Sequence, residues 1–336
     1  METPALVTPA TPPVQTQRPY VCATLIYNPK AGRQHGDLAA VRSFLAAHGW
    51  TVRDERTARA GDATPLARDA AARGDDVVVV AGGDGTINEA IQGLAGSTTA
   101  LGVLPMGTTN VWAREVGLPT NPVAAARTLV DGARHVVDLG RAGDRYFLLM
   151  AGLGFDGAVT AVVDLRLKRV IGRGAYAFAV ARQALGYQGL EVTLEMDDAT
   201  VRGALLLAIV GNTRLYGGSF AMTAGAIADD GLLDVVVFPG RHLWQAAPRL
   251  LPFLIGRPSP SYYRTRRLRV TVTPGVAAPD PILPVQVDGD HVGVALEIVV
   301  APDALRVIVP RDTRSPIFSQ PPLPVAPPHT GDTNAT

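Results

Sequence analysis

VVVVAGGDGTINEAI, residues 77–91, decides the fold of this chain. Four valines and an alanine run without polar interruption into Gly82, Gly83, Asp84 and Gly85, and Thr86 then opens an amphipathic segment. An apolar run with no alternation predicts a strand buried on both faces. Glycines after such a strand let backbone N–H groups approach a bulky anion. Thr86 with Glu89 three residues on predicts a capping box, so a helix N-terminus points into the same space. Together these features read as a phosphate cradle. Asp84 in the cradle is suited to binding a magnesium ion, directly or through water, or to positioning a hydroxyl. The competing reading is a tight turn closed by the aspartate side chain. Three glycines and a capped helix favour the cradle.

The same pattern repeats on both sides. YVCATLIYN (20–28), WTVRDERTA (50–58), DDVVVVA (75–81) and ALGVLPM (100–106) read as strands. Helical segments follow at about Asp37–His48, at ATPLARDAAARG ending on Gly74, at INEAIQGLAG, at TNVWAREVGL and at NPVAAARTLVDG. Alternation of this kind predicts a parallel sheet covered on both faces. The loop Asn28-Pro29-Lys30-Ala31-Gly32 and the loop LPMGTTN (104–110), with Gly107, Thr108 and Asn110, then fall beside the glycine loop at the carboxyl ends of strands. That is where open α/β sheets bind ligands. Three converging loops point to a nucleotide phosphate chain.

From about Arg134 strands dominate: HVVDLGRAG, RYFLLMAG, LEVTLEM, VRGALLLAIVGN, LLDVVVF, RRLRVTVT, LPVQVDGDHV and ALEIVV. Several alternate in polarity, as half-buried antiparallel strands do. One helical stretch, from about Ala158 to Tyr187, interrupts them. The expectation is an α/β N-terminal domain with a parallel sheet at 20–133 and a mostly antiparallel β sandwich at 134–303. ALRVIVP (304–310) is a candidate strand returning to the first domain, and 1–19 and 311–336 are Pro-rich tails expected to be disordered.

Composition narrows the function. A formal charge of +1 lacks the basic excess of general nucleic-acid binding. The single cysteine, Cys22, permits neither an intrachain disulfide nor a cysteine zinc cluster, and the histidines form no HxxxH pair. No apolar run approaches the roughly 18 residues of a membrane-spanning helix, and residues 1–19 lack the pattern of a signal peptide. This places the chain in the cytoplasm. A P-loop is absent. Gly152-Leu-Gly154-Phe-Asp-Gly157 matches GxGxxG, but the acidic residue a dinucleotide site needs about 20 residues on is missing. Those glycines read instead as the floor of a cleft. Asp229 and Asp230 in ADDGLLDVVV, and Asp288 and Asp290 in QVDGDHV, fit hairpin turns as well as they fit catalytic carboxylates.

NPKAG, GGDGTINE, PMGTTN, GLGFDG, GNTRLYGGSFAMTAGAIADDGLLDVVVF and VDGD, in this order over about residues 20–310, resemble the bacterial diacylglycerol kinase family of soluble lipid kinases, relatives of sphingosine and ceramide kinases. GGDGT alone is shared with NAD kinases. The resemblance implies ATP-dependent transfer of a γ-phosphate to the hydroxyl of diacylglycerol or a related lipid alcohol in an interdomain cleft. It implies nucleotide contacts at Asn28, Pro29, Lys30, Ala31, Gly32, Thr57, Gly82, Gly83, Asp84, Gly85, Thr86, Ile87, Asn88 and Thr108, and the loop reading adds Glu89, Gly107 and Asn110 to the candidate nucleotide site. It also implies a Mg2+ ion held by Asp230 and the carbonyl of Leu232, and Asp288 as the general base. Asp84 is the second catalytic candidate. The chain departs from the pattern in two places. Val111 stands where many members carry an aspartate in an acidic network around magnesium, and Asp290 stands where many carry a glutamate.

A soluble enzyme acting on a lipid must touch a membrane. HLWQAAPRLLPFLIGR (242–257) and SYYRTRRLRV pair aromatic and apolar residues with arginines, which suits peripheral contact with an anionic surface. The alternative for these residues is a core helix followed by a strand with one solvated face. Segment 161–187 is a second candidate wall for acyl chains. Edge strands of the second domain leave a homodimer open. Two other functions compete: an NAD kinase-like enzyme with a soluble substrate, and, from Val111, a nucleotide- or lipid-binding protein with weak or no catalysis.

Overall fold

The structure, a computed structural model, describes residues 21–29, 35–162, 186–218, 220–242, 244–245, 261–274, 282–293, 297–319 and 323–324. The expectations for Lys30, Ala31 and Gly32, for the N-terminal tail, and for most of the segments 158–187 and 242–257 lie outside them. The first half runs β1 (Val21–Tyr27), α1 (His35–Ala47), β2 (Trp50–Arg56), α2 (Ala63–Arg73), β3 (Val77–Gly82), α3 (Asp84–Leu94), β4 (Ala100–Pro105), α4 (Val111–Val116) and α5 (Pro122–Asp131). Its strands lie in the order β2-β1-β3-β4, all parallel.

The valine run explains the layering. Val77 and Val79 pack with Leu38, Val41 and Leu45 of α1 and Leu129 of α5. Val78 and Val80 pack on the opposite face with Ala67 and Ala70 of α2 and with Ala90, Ile91 and Leu94 of α3. Alternate residues of one strand therefore serve two helical layers, and every position must be apolar. Each fully buried valine contributes about 1.5–3 kcal/mol relative to exposure.

The second half runs β5 (Ala133–Ala142), β6 (Arg145–Phe147), β7 (Met150–Gly154), α6 (Phe155–Val162), β8 (Leu190–Glu195), β9 (Thr200–Gly211), β10 (Leu215–Tyr216), β11 (Phe220–Ala221), β12 (Leu233–Pro239), β13 (Tyr262–Thr265), β14 (Arg267–Val272), β15 (Val285–Val287), β16 (Asp290–Gly293), β17 (Glu297–Val309) and β18 (Leu323–Pro324). Antiparallel pairing dominates here. In β14, Leu268 and Val270 are buried while Arg267 and Arg269 are exposed. The buried side joins Val192, Leu194, Ala208, Val210, Val235 and Val285 in the core of a mostly antiparallel sandwich. The parallel α/β half and this sandwich are the fold class the sequence leads one to expect.

Three elements differ from the sequence reading. RYFLLMAG is not one strand: β6 and β7 are separated at Leu148 and Leu149, which frees those amides from the ladder. EIVV (297–300) and ALRVIV (304–309) are one strand, β17, bulged between Ala301 and Leu305, where Asp303 takes a positive φ of 52°. β17 pairs along β5, and its Arg306 and Val307 run parallel to Ala100 and Leu101 of β4. Residues 311–319 are a packed strap, not a disordered tail. Ile317 is fully buried, its carbonyl accepts from Ala228 N at 2.7 Å, and the Phe318 ring packs against His135, tilted by 52° with centroids 4.3 Å apart. Composition suggested a tail because the strap has few apolar side chains and its polar anchors leave no pattern in the sequence.

Candidate active site

Four loops meet at the carboxyl ends of the parallel strands. Thr57 N, after β2, donates to Tyr27 O at 3.0 Å, beside Asn28. Met106 N, after β4, donates to Gly82 O at 2.9 Å. The β3 and β4 loops touch through glycines, for a Cβ added to Gly107 would stand 2.5 Å from the Gly83 Cα. Asn110 fixes the second loop. It adopts the left-handed conformation at φ 49°, its Oδ1 accepts from Gly107 N at 2.9 Å, and its Nδ2 donates to Gly107 O at 3.0 Å. Asn110 therefore braces the loop, while Thr108 and Gly85 are exposed.

Gly83, extended at φ −100° and ψ −177°, is the N-cap of α3, so the helix begins at Asp84 and the capping box expected from Thr86 and Glu89 does not form. Glu89 accepts instead from Ala63 N at 3.2 Å, at the start of α2. Ile87 is core, and Asn88 is fully buried. Ile87, Asn88 and Glu89 are thus engaged within the protein, in the core, with Asp288 and with the start of α2 respectively. Asp84 Oδ1 accepts from Trp112 N at 3.3 Å at the start of α4, a helix whose own N-cap makes no side-chain bond. Burial raises the Asp84 carboxyl above the usual range, against the backbone bonds it receives. Val111 is buried beside it in the core.

Asp288 and Gly289 form the two-residue turn between β15 and β16, with φ of 47° and 91° and Val287 paired to Asp290. This is the left-handed pair of a type I′ hairpin, which Asp-Gly favours. The hairpin reading holds, and the turn aims Asp288 at the break between β6 and β7. Its Oδ2 accepts from Leu148 N at 2.9 Å and Asn88 Nδ2 at 3.0 Å, and its Oδ1 from Leu149 N at 3.0 Å and Met150 N at 2.9 Å. Burial nevertheless pushes Asp288 up to about 6. Asn88 Oδ1 in turn accepts from Arg145 Nη2 at 3.2 Å. Sequence reasoning missed Asn88 and the three amides as partners of Asp288. Asn88 lies 200 residues away in the chain, and backbone donors leave no mark on residue type. Asp84 and Asn88 share one face of α3, one turn apart, about 6 Å along its axis. That face joins the glycine loop after β3 to the Asp288 carboxylate.

Asp230 and Leu232, the residues expected to hold magnesium, lie in the turn before β12 and are engaged within the protein. Leu232 N donates to Asp230 Oδ1 at 3.0 Å, and the Arg264 guanidinium donates to Asp230 Oδ2. Neighbouring Asp234 is fully buried, accepts the Tyr262 hydroxyl at 2.7 Å on Oδ1, leaves Oδ2 without a partner among the described residues, and is pushed up to about 6 by burial. A cation from the chain itself already holds Asp230, and no group of three metal-ligating side chains occurs among the described residues. The turn is further held by Asp138, which accepts from Gly231 N at 2.7 Å and from Asp303 N at 2.8 Å.

Residues 22–142 match the diacylglycerol kinase catalytic domain family, and residues 150–309 match the YegS C-terminal NAD kinase beta sandwich-like domain. A diacylglycerol kinase of Bacillus subtilis (strain 168) is 34% identical over 226 residues, which span 66% of this chain and 75% of that protein. A diacylglycerol kinase of Mycobacterium tuberculosis (strain ATCC 25618 / H37Rv) is 35% identical over 305 residues, 86% of this chain and 95% of that protein. The crystal structure of a diacylglycerol kinase from Bacillus anthracis str. Sterne superposes with a TM-score of 0.67 at 22% identity, covering 86% of this chain and 97% of that one, and so shares the fold.

Proposed function

Since the chain belongs to the diacylglycerol kinase family of lipid kinases, we propose that it transfers the γ-phosphate of ATP to the hydroxyl of diacylglycerol or a related lipid alcohol, at the cleft where the α/β half meets the sandwich. The observation that carries this reading is the α3 face, with Asp84 at the cradle and Asn88 bonded to Asp288 one turn on. The nucleotide lies along Asn28, Thr57, Gly82 to Thr86, Gly107 and Thr108. ATP enters as its magnesium complex, with the ion part of the substrate. Backbone amides and the N-terminus of α3 receive the phosphates. Asp288 accepts the proton of the lipid hydroxyl as its oxygen bonds to phosphorus and ADP leaves. The four protein donors fill the lone-pair directions of the Asp288 carboxylate, so the hydroxyl must displace one of them. Asn88 Nδ2 is the side-chain donor of the four; it also donates to Tyr146 O at 3.4 Å, while Asn88 Oδ1 accepts from Arg145. Asp230, paired with Arg264, is given no part in this step.

The lipid is reached from a membrane surface by peripheral contact. Trp244, 71% exposed, stands at the start of the aromatic and arginine-rich segment and supports this. No helix among the described residues is long and apolar enough to cross a membrane.

The test is transfer of labelled γ-phosphate from ATP with magnesium to a panel in mixed micelles. The panel holds diacylglycerol, monoacylglycerol, sphingosine, ceramide, phosphatidylglycerol and an undecaprenol, with NAD as the soluble control. Label in a lipid alcohol is the expected result and names the substrate. Label confined to NAD, or ATP binding with no label in any acceptor, overturns the proposal.

A further inference from the structure

The GxGxxG glycines, which read from sequence as a cleft floor, surround an acid that has no part in the reaction as described. Asp156 lies at the start of α6. Its Oδ1 accepts the Tyr216 hydroxyl, and its Oδ2 accepts Gln286 Nε2 at 2.6 Å. Gly152 leaves the room for this, since a Cβ there would stand 1.7 Å from Asp156 Oδ2. Gln286, 4% exposed, turns its other end to the base: Gly289 N donates to Gln286 Oε1 at 2.7 Å. The order of these bonds matters chemically. A carboxylate only accepts, so Asp156 forces the NH2 of Gln286 toward itself and the amide oxygen toward Gly289. The Gly289 N–H is thereby held in the same turn that fixes Asp288.

Tyr216 extends the connection to the nucleotide side. It belongs to the β10–β11 hairpin, whose Gly218 carbonyl accepts from Arg114 Nη1 at 3.4 Å. A Cβ on Gly218 would stand 2.9 Å from the Thr109 side chain. Thr109 and Arg114 flank the loop that Asn110 organises. A continuous set of contacts therefore runs from the β4 loop through Tyr216, Asp156 and Gln286 to the Asp288–Gly289 turn. Burial raises the Asp156 carboxyl, and the bonds from Tyr216 and Gln286 oppose that shift.

We propose that Asp156 is a positioning residue, which orients Gln286 so that the Asp288–Gly289 turn is held for proton transfer and tied to the phosphate-side loop. This rests on the reading of Asp288 as the base.

The experiment uses the full chain with the variants Asp156→Asn, Gln286→Glu, the double variant and, as reference, Asp288→Asn. In Asp156→Asn an NH2 faces Gln286 or Tyr216. When it faces Gln286, the glutamine rotates and sets a donor against the Gly289 N–H. In the double variant the asparagine amide at position 156 donates to the carboxylate introduced at position 286. The second oxygen of that carboxylate again accepts from Gly289, and Tyr216 still donates to the asparagine oxygen. Each single variant is expected to lower kcat about tenfold to a hundredfold, as a small misplacement of a reacting group does. The KM for ATP should stay within about twofold, and the acid limb of the pH–rate profile should move. The double variant is expected to recover most of kcat and the wild-type profile. Unchanged kcat and pH profile in the single variants, or a double variant no better than they are, overturns the proposal when Asp288→Asn is inactive. Full activity of Asp288→Asn would instead remove the base on which the proposal rests, and so overturn it by a different result. If a single variant does not fold, Tyr216→Phe removes one donor, keeps the ring, and reports through the same two readouts.

Discussion

Four N–H donors hold the Asp288 carboxylate, and burial nonetheless pushes it up to about 6 from an ordinary 3.8. The two effects oppose each other, and desolvation is the larger. A base poised there is ionised at neutral pH and basic enough to take a proton as the phosphate bond forms. The activity should therefore fall along an acid limb with its midpoint near pH 6. Asp288→Asn should lower kcat about 10²- to 10⁴-fold and abolish that limb. The sign for stability is the reverse of the usual carboxylate case. A folded-state value raised above the unfolded one contributes stability in full below pH 3.8 and loses it as the pH rises through about 6. The melting-temperature difference between Asp288→Asn and the wild type should thus shift toward the variant from pH 5 to pH 8, whatever constant offset the lost acceptor adds. A difference that stays flat with pH would contradict the raised value. Asp288 itself was legible in VDGD, but its partners were not, because three of them are main-chain amides.

At the scale of an element, α3 shows what three residues of displacement do. With Thr86 as the cap, Glu89 would close a capping box and stay near the phosphate. With Gly83 as the cap, the helix starts at Asp84 and Glu89 turns to the first amide of α2, where Thr64 Oγ1 also donates to the Glu89 carbonyl at 2.8 Å. The extended Gly83 allows this start, since its close approach to Gly107 leaves no room for a side chain. Glu89→Ala should then cost about 1 kcal/mol of stability, the usual loss for a helix cap. ATP affinity should be unchanged. Denaturant unfolding and ATP titration read the two effects separately, and a large loss of ATP affinity would return Glu89 to the nucleotide site. The strands and helices of the α/β half were readable from their periodicity. The start of α3 was not, because a glycine N-cap carries no side-chain signal.

At the scale of the whole molecule, the strap 311–319 closes over the turn at Asp229. Ser319 N donates to Asp229 Oδ1 at 2.7 Å, the His135 ring bonds Asp229 Oδ2 at 2.8 Å, and Thr313 Oγ1 reaches the carbonyl of Val116 at 2.8 Å. Ile317→Ala should cost about 2–5 kcal/mol, the range for truncating a buried isoleucine. A loss below about 1 kcal/mol would show that the strap is peripheral. Val, Ile and Leu runs made both halves legible, whereas a proline-rich segment with one buried isoleucine looks the same in sequence as a loose tail. β17 has a consequence for how the chain is made. On the side away from β3, the edge of β4 at Ala100 and Leu101 is paired by Arg306 and Val307, which leave the ribosome about 200 residues later. At roughly 5–20 residues per second that is a delay of about 10–40 s. During synthesis the nascent sheet therefore waits with an apolar edge unpaired, so this stretch of translation is the window in which a chaperone is most needed and slow decoding most harmful.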